Sequence, residues 1–450
     1  MASVISNIFS IKELRNRLIY TIFILAVFRI GAHIPCPGIN PAGLKQVFGD
    51  SSQEGFLGLL NLFSGGALGQ FSLFALGIMP YISSSIIMQL LKVVVPTLDK
   101  LYKEGSYGQK KIELYTKYGT VFLCIVQSIG LLVLFSNMAE TKGGVKLALG
   151  ADGIGSFVGG VSTVFGLTFI LTLTTGSMFL LWLGERITEK GLGNGVSMLI
   201  FAGIIARLPQ AILTLVAKPD DNLISMVIIL SVFAVVIGLV VAEQQATRKI
   251  PVQYAKRIIG NKMYGSQSTH IPFKINPSGV IPIIFASSVI IFPAQMLQLF
   301  GGGKEGVLQD IANYFAPGEW AYVIFYMLLV IFFAYFYTAI YFNPVEIADR
   351  LKKEGGFIPG IRPGSHTSGY LAKVLNRITL PGSIFLGLVA VFPDLLWVFT
   401  KIDKSFAYLM GGTSLLIMVS VGLETAKQIE SHLLTRNMSG FMKKTKLKGR

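Results

Sequence analysis

Long apolar runs, separated by short stretches rich in Lys and Arg, follow one another along the whole chain. A helix needs about 20 mostly apolar residues to cross roughly 30 Å of hydrocarbon. On that rule ten runs qualify, at about 18–38, 71–91, 116–136, 156–183, 192–212, 222–242, 275–299, 320–342, 376–396 and 403–425. The pattern predicts an all-α polytopic membrane protein whose even number of spans puts both termini on one side. Basic loops resist translocation. Of the 39 Lys and Arg, thirty lie on the side of the termini and eight in the opposite loops, so both termini are expected in the cytoplasm. No small-residue cleavage site follows the first run, which is therefore expected to be retained.

Composition agrees, since 52% hydrophobic and 14% charged residues with a mean hydropathy of +0.64 do not make a soluble surface. A net charge of +16 would in isolation suggest a nucleic-acid partner, but the cations sit between the apolar runs. Cys36 and Cys124 lie in different runs without metal-ligand or redox spacing, and are read as small apolar fillers.

Three departures from plain spans stand out. Residues 57–70, around Phe56-Leu-Gly-Leu-Leu-Asn-Leu-Phe-Ser-Gly-Gly-Ala-Leu-Gly-Gln70, read as a short half-helix and a break, with a full helix from about Phe71. Non-helical backbone at membrane depth is tolerated where it is buried in protein or lines a cavity. Gly77-Ile-Met-Pro-Tyr-Ile-Ser-Ser-Ser85 resembles Gly279-Val-Ile-Pro-Ile-Ile-Phe-Ala-Ser-Ser288, which suggests two inverted halves of five spans, 1–212 and 213–450. Finally, the loops at about 243–274 and 343–375 are longer than topology requires, and their Pro and Gly content favours a docking surface over simple positive-inside anchors.

Chemistry is sparse. The spans are expected to hold no carboxylate of the kind that couples ions to transport, and Arg29 is expected to snorkel to the interface. His33, His270, His366 and His432 are scattered, so no catalytic site, metal site or cofactor is expected. Gly191-Leu-Gly-Asn-Gly195 lacks the third glycine of a dinucleotide loop, and Gly301-Gly-Gly-Lys304 is followed by Glu305 and not by Ser or Thr. A bundle of broken helices with little fixed charge fits a pore closed by aliphatic side chains, which bar ions by dewetting and yield to a bulky chain.

Taken in order, Phe28-Arg-Ile-Gly31, Phe63-Ser-Gly-Gly-Ala-Leu68, Phe74-Ala-Leu-Gly-Ile-Met-Pro-Tyr-Ile82, Trp182-Leu-Gly-Glu185, Gly191-Leu-Gly-Asn-Gly195, Gln267-Ser-Thr-His270, Pro359-Gly-Ile-Arg-Pro-Gly364 and Gly411-Gly-Thr-Ser-Leu-Leu416 resemble the SecY family of protein-conducting channels over nearly the whole chain. That resemblance implies an hourglass channel in a bacterial cell membrane, opening across it for secreted chains and sideways for membrane segments. It implies a pore ring of Ile78, Ile82, Val196, Ile200, Ile284 and Ile417, with Val196 a departure toward a smaller side chain. A plug would include Leu60, Asn61, Phe63, Ser64, Gly65, Gly66 and Leu68. The lateral gate between the second and seventh spans would hold Ser83 and Phe292, with Gln127 from the third. Lys256, Arg257 and Arg362 would meet the motor ATPase SecA or the translating ribosome, including its RNA, and small subunits SecE and SecG would complete the channel. The rival from another class is a secondary transporter of a small solute; a membrane-embedded enzyme and a specialised accessory paralogue fit less well.

Overall fold

The computed structural model describes residues 11–39, 61, 64–141, 163–209, 212–213, 223–254, 257–259, 262–264, 268–300, 319–400 and 412–446. Its helices are α1 (Lys12–Gly31), α2 (Met79–Val94), α3 (Pro96–Lys103), α4 (Ser106–Thr141), α5 (Thr163–Lys190), α6 (Gly195–Ile205), α7 (Leu223–Gln245), α8 (Ile281–Phe300), α9 (Trp320–Tyr341), α10 (Pro344–Lys353), α11 (Ser365–Thr400) and α12 (Gly412–Lys446). Each of the ten apolar runs overlaps one of these helices. Among the described residues, the stretches Ser106–Val133, Val164–Lys190, Trp320–Lys353 and Ser365–Leu396 are long and apolar enough to cross a membrane, and α2 and α3, bent by 102° at Val95, are so only when taken together. The chain is a multi-pass membrane protein.

Several expected boundaries move, and in each case local chemistry explains it. The second run becomes helical at Met79 and not near Phe71, because Gly77 takes a left-handed φ of +60° and Pro80 suits only the first helical turn. The seventh starts at Ile281, after a turn in which Asn276 Nδ2 donates to the Gly279 carbonyl (3.0 Å) and Ser278 Oγ donates to Asn276 Oδ1 (2.9 Å). In the fifth run, α6 holds only 11 residues, about 16 Å of helix, and a turn follows at Ala206 and Arg207. Asn194 caps its start by accepting from the Ser197 N–H (3.3 Å).

The expectation of an all-α protein is corrected outside the helical bundle. Strands β1 (Thr247–Tyr254), β4 (Ser268–Lys274) and β5 (Gly356–Phe357) form an antiparallel sheet in the order β4-β1-β5, while β2 (Arg257–Ile259) pairs with β3 (Lys262–Tyr264). In β1, Ile250 and Val252 alternate with exposed residues and turn inward, where they join Phe273, Leu351, Ile358, Leu371 and Leu375 in a separate small core. Because β5 pairs with β1 through Gln253 and Phe357, the two long loops are one folded platform.

Candidate functional site

Within the bundle, all six expected ring residues fall in one apolar cluster. Ile78, at the start of α2, Ile200 on α6 and Ile417 on α12 are buried in it, and Ile82, Val196 and Ile284 pack against it half-buried. That cluster is the apolar core of the whole bundle, shared with residues of α1, α5, α7, α9 and α11.

Beside this cluster runs buried backbone that is not helical. Residues 64–78 form successive turns, and the stretch following α1 lies antiparallel to them: the Cys36 N–H donates to the Phe71 carbonyl (2.9 Å) and the Leu73 N–H to the Ile34 carbonyl (2.9 Å). Those bonds satisfy polar groups that hydrocarbon would leave unpaired. Phe71 and Phe74 are fully buried there, and Gly176 of α5 fits closely, since a Cβ on it would stand 1.9 Å from the Leu73 carbonyl oxygen.

Of the expected plug residues, Asn61, Ser64, Gly65, Gly66 and Leu68 are described, whereas Leu60 and Phe63 lie outside the described residues. The segment is a knot closed on itself. The Gly66 N–H and Ser64 Oγ donate to the Asn61 carbonyl (2.9 and 3.1 Å), the Gly69 N–H donates to Asn61 Oδ1 (2.9 Å) and the Leu68 N–H to Ser64 Oγ (3.1 Å). Over 64–70 side chains and turns replace helical bonds because Gly65 and Gly66 take positive φ; of the half-helix expected before this break only Asn61, which is helical, lies among the described residues.

Arg29 corrects a second expectation. It turns into the protein, where Nη1 donates to the Gly65 carbonyl (3.2 Å). The expectation of carboxylate-free spans also fails: Asp394 is buried in α11 near Tyr322 and Tyr326, and just past the sixth run α7 continues through Glu243, half-buried with both carboxylate oxygens shielded from solvent close to Asn276. Asp394 was visible in the sequence inside the ninth run, so the missing-carboxylate argument against a solute transporter carries no weight.

At the expected lateral gate, α8 packs against both α2 and α4. Ser83 on α2 and Gln127 on α4 are half-buried, while the side chain of Phe292 lies outside the described residues. Sequence reasoning missed the neighbouring tie, in which Ser84 Oγ donates to the Thr116 carbonyl (2.7 Å) opposite Gly119. Only the α2–α4 crossing reveals it.

Gly191–Gly195 acts as a structural clasp: the Leu192 N–H donates to Thr21 Oγ1 (3.0 Å) on α1, and the Gly193 N–H to the Gln428 side chain on α12. On the platform, Arg362 is exposed in the turn before α11, its carbonyl accepting from Thr367 Oγ1 (2.9 Å). Arg257 opens β2, and Lys256 lies outside the described residues.

The sequence model of the SecY family matches residues 72–426. The protein translocase subunit SecY of Streptomyces galbus is 46% identical over 98% of this chain and 100% of its own length, and that of Escherichia coli K12 is 44% identical over 97% and 96%. The chain belongs to the SecY family. As a SecY-family member it is a subunit of a protein-translocating channel, and a solute transporter is not favoured. The fold agrees with a solved structure described as that of a protein conducting channel, with a TM-score of 0.62 at 19% identity over 93% of this chain and 92% of that one. Two further SecY-like structures match at TM-scores of 0.59 and 0.57, each at 18% identity and the same coverage. One is described as showing that the SecY plug stabilises the closed channel and maintains a membrane seal, the other as Sec61 in a canine ribosome–channel complex.

Proposed function

We propose that this chain passes unfolded secretory polypeptides across the bacterial cell membrane and releases transmembrane segments sideways into lipid. The match of the SecY family model to residues 72–426 carries this reading, with a constriction built from Ile78, Ile82, Val196, Ile200, Ile284 and Ile417, all of them in the apolar core of the bundle. Such a constriction excludes hydrated ions and binds no substrate tightly, so a chain can push it open. Ten spans in two inverted halves, 1–212 and 213–450, surround it, and both termini are cytoplasmic. The parallel between Gly77 and Gly279 supports the halves.

Residues 57–70 are the plug, and α2 and α8 are the walls of the lateral gate, lined by Ser83, Gln127 and Phe292. The sheet platform is the cytoplasmic dock. Lys256, Arg257 and Arg362 suit acidic protein surfaces and RNA phosphate alike, and SecA, the ribosome, SecE and SecG are its partners. The ribosome–channel complex of Sec61 supports the ribosome among these partners.

Photo-crosslinking from Ile284 and Ile417 to a stalled precursor, in proteoliposomes holding the channel complex and SecA with ATP, tests it. Crosslinks from both positions, with none from a lipid-facing control such as Leu388, are expected. Translocation without either crosslink would sink the ring, and absence of translocation with any motor would sink the function.

A further inference from the structure

Among the described residues, the knot formed by Asn61 and residues 64–69 receives one hydrogen bond from a distant element, that from Arg29 Nη1 to the Gly65 carbonyl (3.2 Å). Its remaining bonds are internal or to the chain just after it. A second close approach is backbone to backbone: Gly65, at φ +67°, meets Gly203 of α6, and a Cβ on Gly65 would lie 2.8 Å from the Gly203 Cα. Arg207, two residues beyond the end of α6, stands over Gly66, with Nε 3.4 Å from where a Cβ there would be. Neither Arg29 nor Arg207 forms an ion pair among the described residues, and the two are close enough for their charges to repel. A guanidinium in that setting gains from every carbonyl dipole it can reach.

We infer that Arg29 is a positioning residue that latches residues 61–69 in the closed channel, against a glycine seat at Gly203. The inference rests on the plug reading above. A self-bonded knot can leave without unpairing most of its own backbone, so its departure costs the Arg29 bond, the Gly65–Gly203 contact and the packing of the buried Ala67 and Leu68. The charge-assisted hydrogen bond is the polar part of that closed-to-open balance. Arg29 acts through the knot and need not touch the moving chain.

Halide leak from proteoliposomes holding the purified channel complex measures the closed state. Four channels are compared: the parent, Arg29→Gln, Arg29→Lys, and one with residues 61–69 replaced by a Gly-Ser linker. Arg29→Gln is expected to raise the leak about tenfold, the loss of one hydrogen bond to a charged group. Arg29→Lys, which still donates, is expected to stay near the parent. In the linker channel, already leaky, Arg29→Gln should add nothing. A tight linker channel would remove the plug reading and the latch with it. A leaky linker channel beside a tight Arg29→Gln would remove the latch alone, as would an equal increase in both backgrounds. Gly203→Ala gives an independent arm, because it crowds Gly65 without touching Arg29. It should leak in the parent background and add nothing in the linker channel, and a tight Gly203→Ala would overturn the seat.

Discussion

Gly77 and Gly279 hold the same left-handed backbone, at φ +60° and +61°, each two residues before a helix whose second residue is proline. An L side chain in that region costs about 1–2 kcal/mol. Around Gly279 nothing lies within 4 Å of an added Cβ, so strain is the whole penalty there. Gly279→Ala should lower stability by about 1 kcal/mol, and Gly279→Asn by less. Thermal unfolding of the detergent-solubilised protein measures both, and an unchanged midpoint for the alanine variant would contradict the strain argument.

The crossing of α5 and α6 makes a stronger demand. A Cβ on Gly195 would stand 1.8 Å from the Gly184 carbonyl oxygen, within backbone that cannot yield. Gly195→Ala should therefore destabilise by roughly 3 kcal/mol, the upper range for overpacking. Gly238→Ala in α7, where a Cβ meets nothing within 4 Å, should be neutral or gain up to about 1 kcal/mol of helix propensity. Membrane accumulation and melting temperature of the pair provide the comparison.

Lys117 on α4 bridges Glu185 of α5 (2.6 Å) and Glu113 one turn back (3.2 Å), and all three are partly exposed. Lys117→Met leaves two carboxylates facing each other. The loss should be about 1 kcal/mol at low salt and should shrink as salt rises from about 0.1 M to about 1 M, because screening shortens from roughly 10 Å to 3 Å. A loss independent of salt would point to packing of the lysine stem instead.

Arg362→Glu reverses charge on an exposed turn without disturbing the small core beneath it, where Ile358 and Leu371 are buried. Stability should hold within about 0.5 kcal/mol, while binding of SecA or ribosomes to proteoliposomes falls at least tenfold and loses much of its salt dependence. Undiminished binding would move the dock elsewhere on the platform.

By itself the sequence determined where the helices lie, since a run of apolar side chains long enough to cross lipid is a local property that needs no partner. The motifs from Phe28 to Leu416 likewise carried the family. Asp394 could have been read from the ninth run, and its burial among tyrosines then follows from the cost of a carboxylate facing lipid. Tertiary structure decided the rest. Whether Arg29 snorkels or bonds Gly65 depends on a chain segment 36 residues away, and the union of two loops into one sheet depends on Gln253 meeting Phe357. Such contacts join residues far apart in the chain, and hydrophobic periodicity, which reports only the face a residue turns to its surroundings, holds no record of them.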